Sequence, residues 1–204
     1  VAEAFEQLNS DRRAFEDEKA TKVSQYLISL DKSYEGTIRF GIETDSHDAD
    51  GEIVTEIPVP GDLTEESLRE EMKSFLGDQY QTPPMFSAKK VGGVPLYKLA
   101  RKGKTIEREA KPVHIFSFEF SDYTQPVGKF RVHCSKGTYV RSLAHELGEK
   151  LECGAHLRTL HRTVSGNFDV KDAVALEKLV KLPDEELPTR IVSLLELTSM
   201  LQPT

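Results

Sequence analysis

Strand-like runs recur along this chain without the regular strand–helix–strand repeat of a parallel sheet, and this limits its fold more than any other feature. Tyr34 to Thr44 (YEGTIRFGIET) alternates like a strand, and Gly51 to Pro58 supplies its expected partner across an acidic turn. Val113–Tyr123 and Lys129–Cys134 are two further runs joined by TQPVG, and a run from about Leu157 to Ser165 closes the sheet. Helical patterns fall between the strands. One covers residues 1–29, with Phe5, Leu8 and Phe15 and then Val23, Tyr26, Leu27 and Leu30 at helical spacing. A second is capped by Asp62 or Thr64 and runs through Phe75, with Glu65 and Glu66 in its first turn. Leu96–Lys102 is a short helix ended by Gly103, Thr138 to about Leu151 is a longer one, and two short helices finish the chain. QTPPMFSAKKVGGVP, dense in Pro and Gly, must be irregular or extended. The expectation is an α+β domain with a mainly antiparallel mixed sheet flanked by helices.

With 204 residues, 38% hydrophobic and 30% charged, the chain can bury a real core and is neither disordered nor fibrous in composition. No apolar run is long enough to span a bilayer, so no membrane partner is expected. VAEAFEQLNSDRR lacks the basic start and apolar stretch of a secretory signal, and Cys134 and Cys153 are too few for a disulfide framework. A cytoplasmic location is expected. So is the absence of a metal: His133 and Cys134, as strand neighbours, point to opposite faces, and nothing completes a zinc set around Cys153 and His156. Asp45 to Gly51 resembles a calcium loop only superficially, because Ile57 falls where the bidentate Glu belongs. A polar turn is the better reading.

The net charge of −7 argues against a nucleic-acid partner until it is resolved along the chain. Residues 1–85 carry 8 basic and 20 acidic side chains, whereas Phe86 to Arg162 carry 15 basic and 7 acidic, a net of +8. Tyr97 and Tyr139 stand among those cations, and phosphate neutralisation beside aromatic faces is how RNA is bound. Solvated strand edges and helix faces would produce the same charges, so motifs must decide.

Four segments in order, DKSYEGTIRFGIETDSHDADG, PPMFSAKKVGGVPLYKLARKGKTIEREAKPV, FRVHCSKGTYVRSLAHELGEKL and CGAHLRTLHRTVSG, resemble the TruB-type tRNA pseudouridine synthases. The similarity covers nearly all of residues 20–180. It implies isomerisation of uridine to pseudouridine at position 55 in the T loop of tRNA, a pseudouridine synthase-like catalytic fold, and no cofactor. By the same resemblance, Tyr34 stacks on the target base and assists removal of the C5 proton, Tyr139 and Arg141 line the same pocket, and Arg141 pairs with the catalytic carboxylate. Leu160 matches an apolar wall of the base pocket. Lys89, Lys90, Lys98, Arg101, Lys102, Lys104 and Lys136 are the expected phosphate contacts of the tRNA T arm.

One departure stands out. The family carries its nucleophilic Asp in a Gly-x-Leu-Asp-Pro motif shortly before the segment matching KATKVSQYL, but here that stretch is AFEQLNSDRRAFEDEKATK, without Leu-Asp-Pro and without glycine. Family spacing lands near Glu6, whose extra methylene would misplace the attack, while Asp11 and Asp17 lie in a hydrophilic helical pattern. No nucleophile is assigned. The family's N-terminal strand and the C-terminal RNA-binding appendage of many members also lack a counterpart. The expected division is an atypical acidic helix over 1–19, a catalytic domain incomplete at its N-terminus over 20–182, and a helical tail over 183–204, in a monomer. A truncated or inactive enzyme, a catalytically dead RNA-binding relative, and a protein-interaction module using the N-terminal helix remain alternatives.

Overall fold

The computed structural model describes residues 26–193 together with 196 and 197. Most of the helix expected over 1–29, with Glu6, Asp11 and Asp17, lies outside these residues. Two units divide the chain, Asp31–Thr163 and one formed by residues up to Leu30 and from Val164 onward.

The first unit is built on a sheet whose strands are β1 (Lys32–Phe40), β4 (Gly77–Gln81), β7 (Lys111–Thr124), β8 (Val127–Cys134) and β9 (Ala155–Ser165), in the order β9-β1-β8-β7-β4. Pairing is antiparallel for β1 with β8, from Lys32 opposite Cys134 to Arg39 opposite Val127, for β7 with β8, and for β4 with β7. Alternation assigns the two faces. Ile38, Phe40, Phe118, Phe120, Phe130 and Val132 are buried on one side, where Leu68 and Met72 of α1 (Glu65–Lys73) and Leu143 and Leu147 of α3 (Val140–Lys150) complete the core. Phe118 meets Phe75 and Phe130 edge-on, with centroids 5.8 and 5.7 Å apart. The opposite face is polar, and Glu35 and Arg131, directly cross-strand, form an ion pair at 2.8 Å. Helix α1 starts at the expected Thr64, whose hydroxyl accepts from the Ser67 N–H in a reciprocal capping box.

The pairing expected between Tyr34–Thr44 and Gly51–Pro58 is corrected by the structure. Tyr34 pairs with Val132 of β8, and only β2 (Ile42–Thr44) pairs with β3 (Ile53–Glu56), in a separate two-stranded sheet. The cause is Gly41, at φ 88°. Its N–H donates to the Gly154 carbonyl and its own carbonyl accepts from Ile57, both at 2.9 Å, which turns the chain out of the main sheet. Strand β4 (GDQYQ) is also new: it has no apolar alternation, and its pairing with β7 makes it a strand. Inside the Pro- and Gly-rich segment, β5 (Lys90–Val91) and β6 (Val94–Pro95) form a hairpin through Gly92 and Gly93, both at positive φ, leading into α2 (Leu96–Ala100).

In the second unit, β9 continues to pair with β10 (Phe168–Asp169), and α4 (Leu176–Leu179) follows. Gly166, between β9 and β10, sits at φ 56°, a conformation that favours glycine.

Candidate active site

Tyr34, Tyr139, Arg141 and Leu160, from three separate segments of the chain, line one open cleft of about 430 Å³. Strand β1 delivers Tyr34 and β9 delivers Leu160, which is 45% exposed toward the opening. Burial pushes the Tyr34 hydroxyl above its ordinary pKa, with the Cys134 thiol adding to the effect and the Arg162 side chain opposing it. At neutral pH Tyr34 therefore presents a protonated phenol and an aromatic face.

Tyr139 precedes α3 and has no side-chain cap of its own. Buried Gln81, at the end of β4, instead grips the Tyr139 backbone from across the fold. Its Oε1 accepts the Tyr139 N–H at 2.7 Å and its Nε2 donates to the Tyr139 carbonyl at 3.2 Å. This clamp sets the first turn of α3, from which Arg141 reaches back. Its guanidinium carbon lies 6.0 Å from the Tyr139 ring centroid, one nitrogen donates to the Phe86 carbonyl, and another donates to Asp48 Oδ2 at 2.7 Å. Both side chains of that pair are about three-quarters buried, at 22% and 25% exposure, which makes it a stronger contact than a surface ion pair.

Asp48 and Gln81 were not among the residues singled out from sequence. Asp48 sits in the acidic turn between β2 and β3, so the polar-turn reading holds for its backbone and misses its side chain. The turn is built to aim it. Ser46 Oγ donates to Asp48 Oδ1 at 2.5 Å, Thr44 Oγ1 donates to the Asp48 carbonyl at 2.7 Å, and a β-carbon at Gly51 would lie 2.3 Å from Ser46 Oγ. The signal that could have exposed Asp48 was the need of a buried arginine for a carboxylate.

The expected phosphate contacts divide. Lys89 and Lys136, with Lys111, line a second recess of about 200 Å³ that shares Tyr139 with the main cleft. Lys90 is on the β5–β6 hairpin, and Lys98 and Arg101 stand exposed at α2, where Arg101 lies 5.6 Å from the Tyr97 ring centroid. These three do not line either recess. Arg158, not expected, lines the main cleft. Cys134 and Cys153 are buried free thiols, and burial lifts Cys134 to a pKa of about 11, which makes it a poor nucleophile. His156 Nδ1 lies 2.9 Å from the Ile42 carbonyl, a structural contact. Among the described residues no helix is long and apolar enough to cross a membrane.

Residues 17–140 match the model of the TruB family pseudouridylate synthase N-terminal domain, and residues 141–204 match that of the tRNA pseudouridylate synthase B C-terminal domain. The chain belongs to the TruB family of pseudouridylate synthases. It is 53% identical over 174 residues to a tRNA pseudouridine synthase B of Opitutus terrae, covering 85% of this chain and 72% of that protein. It is 49% identical over 168 residues to the tRNA pseudouridine synthase B of Francisella tularensis subsp. novicida, of which it spans 56%. Among solved structures, one of a Cbf5-Nop10-Gar1 complex matches with a TM-score of 0.65 at 25% identity, over 89% of this chain and 47% of that one. Another, an H/ACA RNP bound to a substrate RNA containing 2'-deoxyuridine, matches with a TM-score of 0.54 at 25% identity, over 79% of this chain and 37% of that one. These likenesses agree with the expected α+β class.

Proposed function

We propose that this chain forms the base pocket and RNA face of an isomerase that converts uridine to pseudouridine at position 55 in the T loop of tRNA. The observation that carries this reading is the convergence of Tyr34, Tyr139, Arg141 and Leu160 on one cleft, with Arg141 already paired to a carboxylate. The reaction breaks the N1–C1′ bond, turns the base over and rejoins it through C5, so the uridine must first leave the stacked loop. The extruded base stacks on Tyr34 against the Leu160 wall. Lys89, Lys111 and Lys136, in the recess that shares Tyr139, receive phosphates of the T arm.

Asp48 orients Arg141, and it stands outside any Gly-x-Leu-Asp-Pro sequence. Its Oδ2 is held by Arg141, and its Oδ1 accepts from Ser46 at 2.5 Å and from the Asp50 N–H at 3.3 Å. Arg141 has five N–H donors and spends one on Asp48 and one on Phe86, so it can still hold and orient a second carboxylate. Glu6, Asp11 and Asp17 are the acidic candidates toward the N-terminus.

The test is incubation of the 204-residue chain with T-arm RNA, followed by a chemical probe specific for pseudouridine and by a binding titration. Salt-sensitive binding without product is expected, because no nucleophile is assigned among the described residues of the cleft. Product abolished by Glu6→Gln, Asp11→Asn or Asp17→Asn would locate that nucleophile in the N-terminal stretch. Neither binding nor product would overturn the proposal.

A further inference from the structure

The turn that aims Asp48 is itself held by the residue before it. His47 adopts φ 64°, a left-handed conformation costing a residue with a β-carbon on the order of 1 kcal/mol, so something must repay it. Two contacts do. The His47 carbonyl accepts the Leu157 N–H of β9 at 3.0 Å, and the His47 ring stacks on that of His145, with centroids 3.8 Å and planes 17° apart. His145 is four residues after Arg141 on α3, so the two share one helix face. Adjacent residues of the turn, 47 and 48, thus meet adjacent turns of one helix, 145 and 141.

We propose that the stacked rings of His47 and His145 are a positioning clamp that presents the Asp48 carboxylate to Arg141. Neither ring lines the cleft, so both act through that ion pair. The groups facing the stack are Arg141 and Glu149 of α3, Glu43 of β2, Arg108 ahead of β7, and Asp48. Glu43 and Glu149 lie 3.9 and 3.6 Å from His145. Burial, then His145, Arg141 and Arg108, keep His47 uncharged at neutral pH. The clamp names two positioning residues of the isomerase site proposed above and rests on that reading for its purpose.

The experiment is amide hydrogen exchange on the full chain, comparing Leu157 with the amides of β8. His47→Asn removes a ring while tolerating the left-handed backbone, His145→Ala removes the other, and His145→Phe keeps a stacking face. Leu157 protection is expected to fall at least tenfold in H47N and H145A while β8 is unchanged, and H145F is expected to stay within about threefold of the native chain. Unchanged Leu157 protection in H47N and H145A would overturn the clamp, as would loss of protection in β8 in step with Leu157. Because the measurement needs no turnover, its failure is separable from failure of the isomerase reading, which the pseudouridine probe decides.

Discussion

Gln81 and Tyr139, 58 positions apart, exchange two hydrogen bonds: the amide oxygen of Gln81 accepts the Tyr139 N–H and its amide nitrogen donates to the Tyr139 carbonyl. The edge strand β4 therefore fixes the start of α3, and with it both Tyr139 and Arg141. Replacing Gln81 by Leu leaves the Tyr139 N–H without that partner, while the Tyr139 carbonyl keeps the Ser142 and Leu143 amides. A loss of about 1–3 kcal/mol is expected in chemical denaturation, with weaker T-arm binding.

Asp48→Asn leaves the buried guanidinium of Arg141 without its countercharge. The expected cost is roughly 2–4 kcal/mol, and Arg141→Lys should also destabilise, because one ammonium nitrogen does not reproduce the two guanidinium nitrogens that reach Asp48 and the Phe86 carbonyl. Urea midpoints of D48N, R141K and the double variant decide this. Additive losses would mean that the pair is not coupled.

Two buried groups give opposite pH slopes. His47 has its pKa lowered from 6.5 to about 4, so the unfolded chain takes up the proton first and stability falls as pH drops from 6.5 toward 4. Glu146, raised from 4.5 to about 7 by burial and then by Glu149, keeps its proton in the folded state, so stability falls as pH rises from 4.5 to 7. Between pH 4.5 and 6.5 the two contributions oppose. H47N should make stability fall with rising pH across that window, and Glu146→Gln should make it rise, as read by thermal unfolding in a pH series.

Tyr34→Ala removes the stacking face proposed for the uridine and should weaken T-arm affinity by about 1–3 kcal/mol, whereas Tyr34→Phe should bind like the native chain. Fluorescence titration with T-arm RNA separates the two. Equal affinity of Y34A and Y34F would place the base elsewhere.

Binding of T-arm RNA should weaken log-linearly with salt, and Lys89→Ala, Lys111→Ala or Lys136→Ala should each reduce the slope by about one. Substitutions at Lys90 and Lys98, which lie outside both recesses, should reduce it less. A salt-independent affinity would favour apolar docking of a protein instead.

Local patterning decided much of this molecule. The alternation of Val113–Tyr123 and Lys129–Cys134, the Thr64 cap and the leucine face of α3 depend on neighbours within a few residues, so periodicity and capping chemistry suffice to read them. The family motifs likewise marked Tyr34, Tyr139, Arg141 and Leu160. Only the tertiary structure decided what those residues meet. Gly41 redirects a run that reads as one continuous strand, β4 forms because β7 offers unpaired backbone groups, and Asp48 reaches Arg141 across 93 positions. A carboxylate in a polar turn looks the same in sequence whether it faces water or a buried guanidinium. Its environment is set by long-range packing, here by Leu157 and the His47–His145 stack, and no local pattern encodes that.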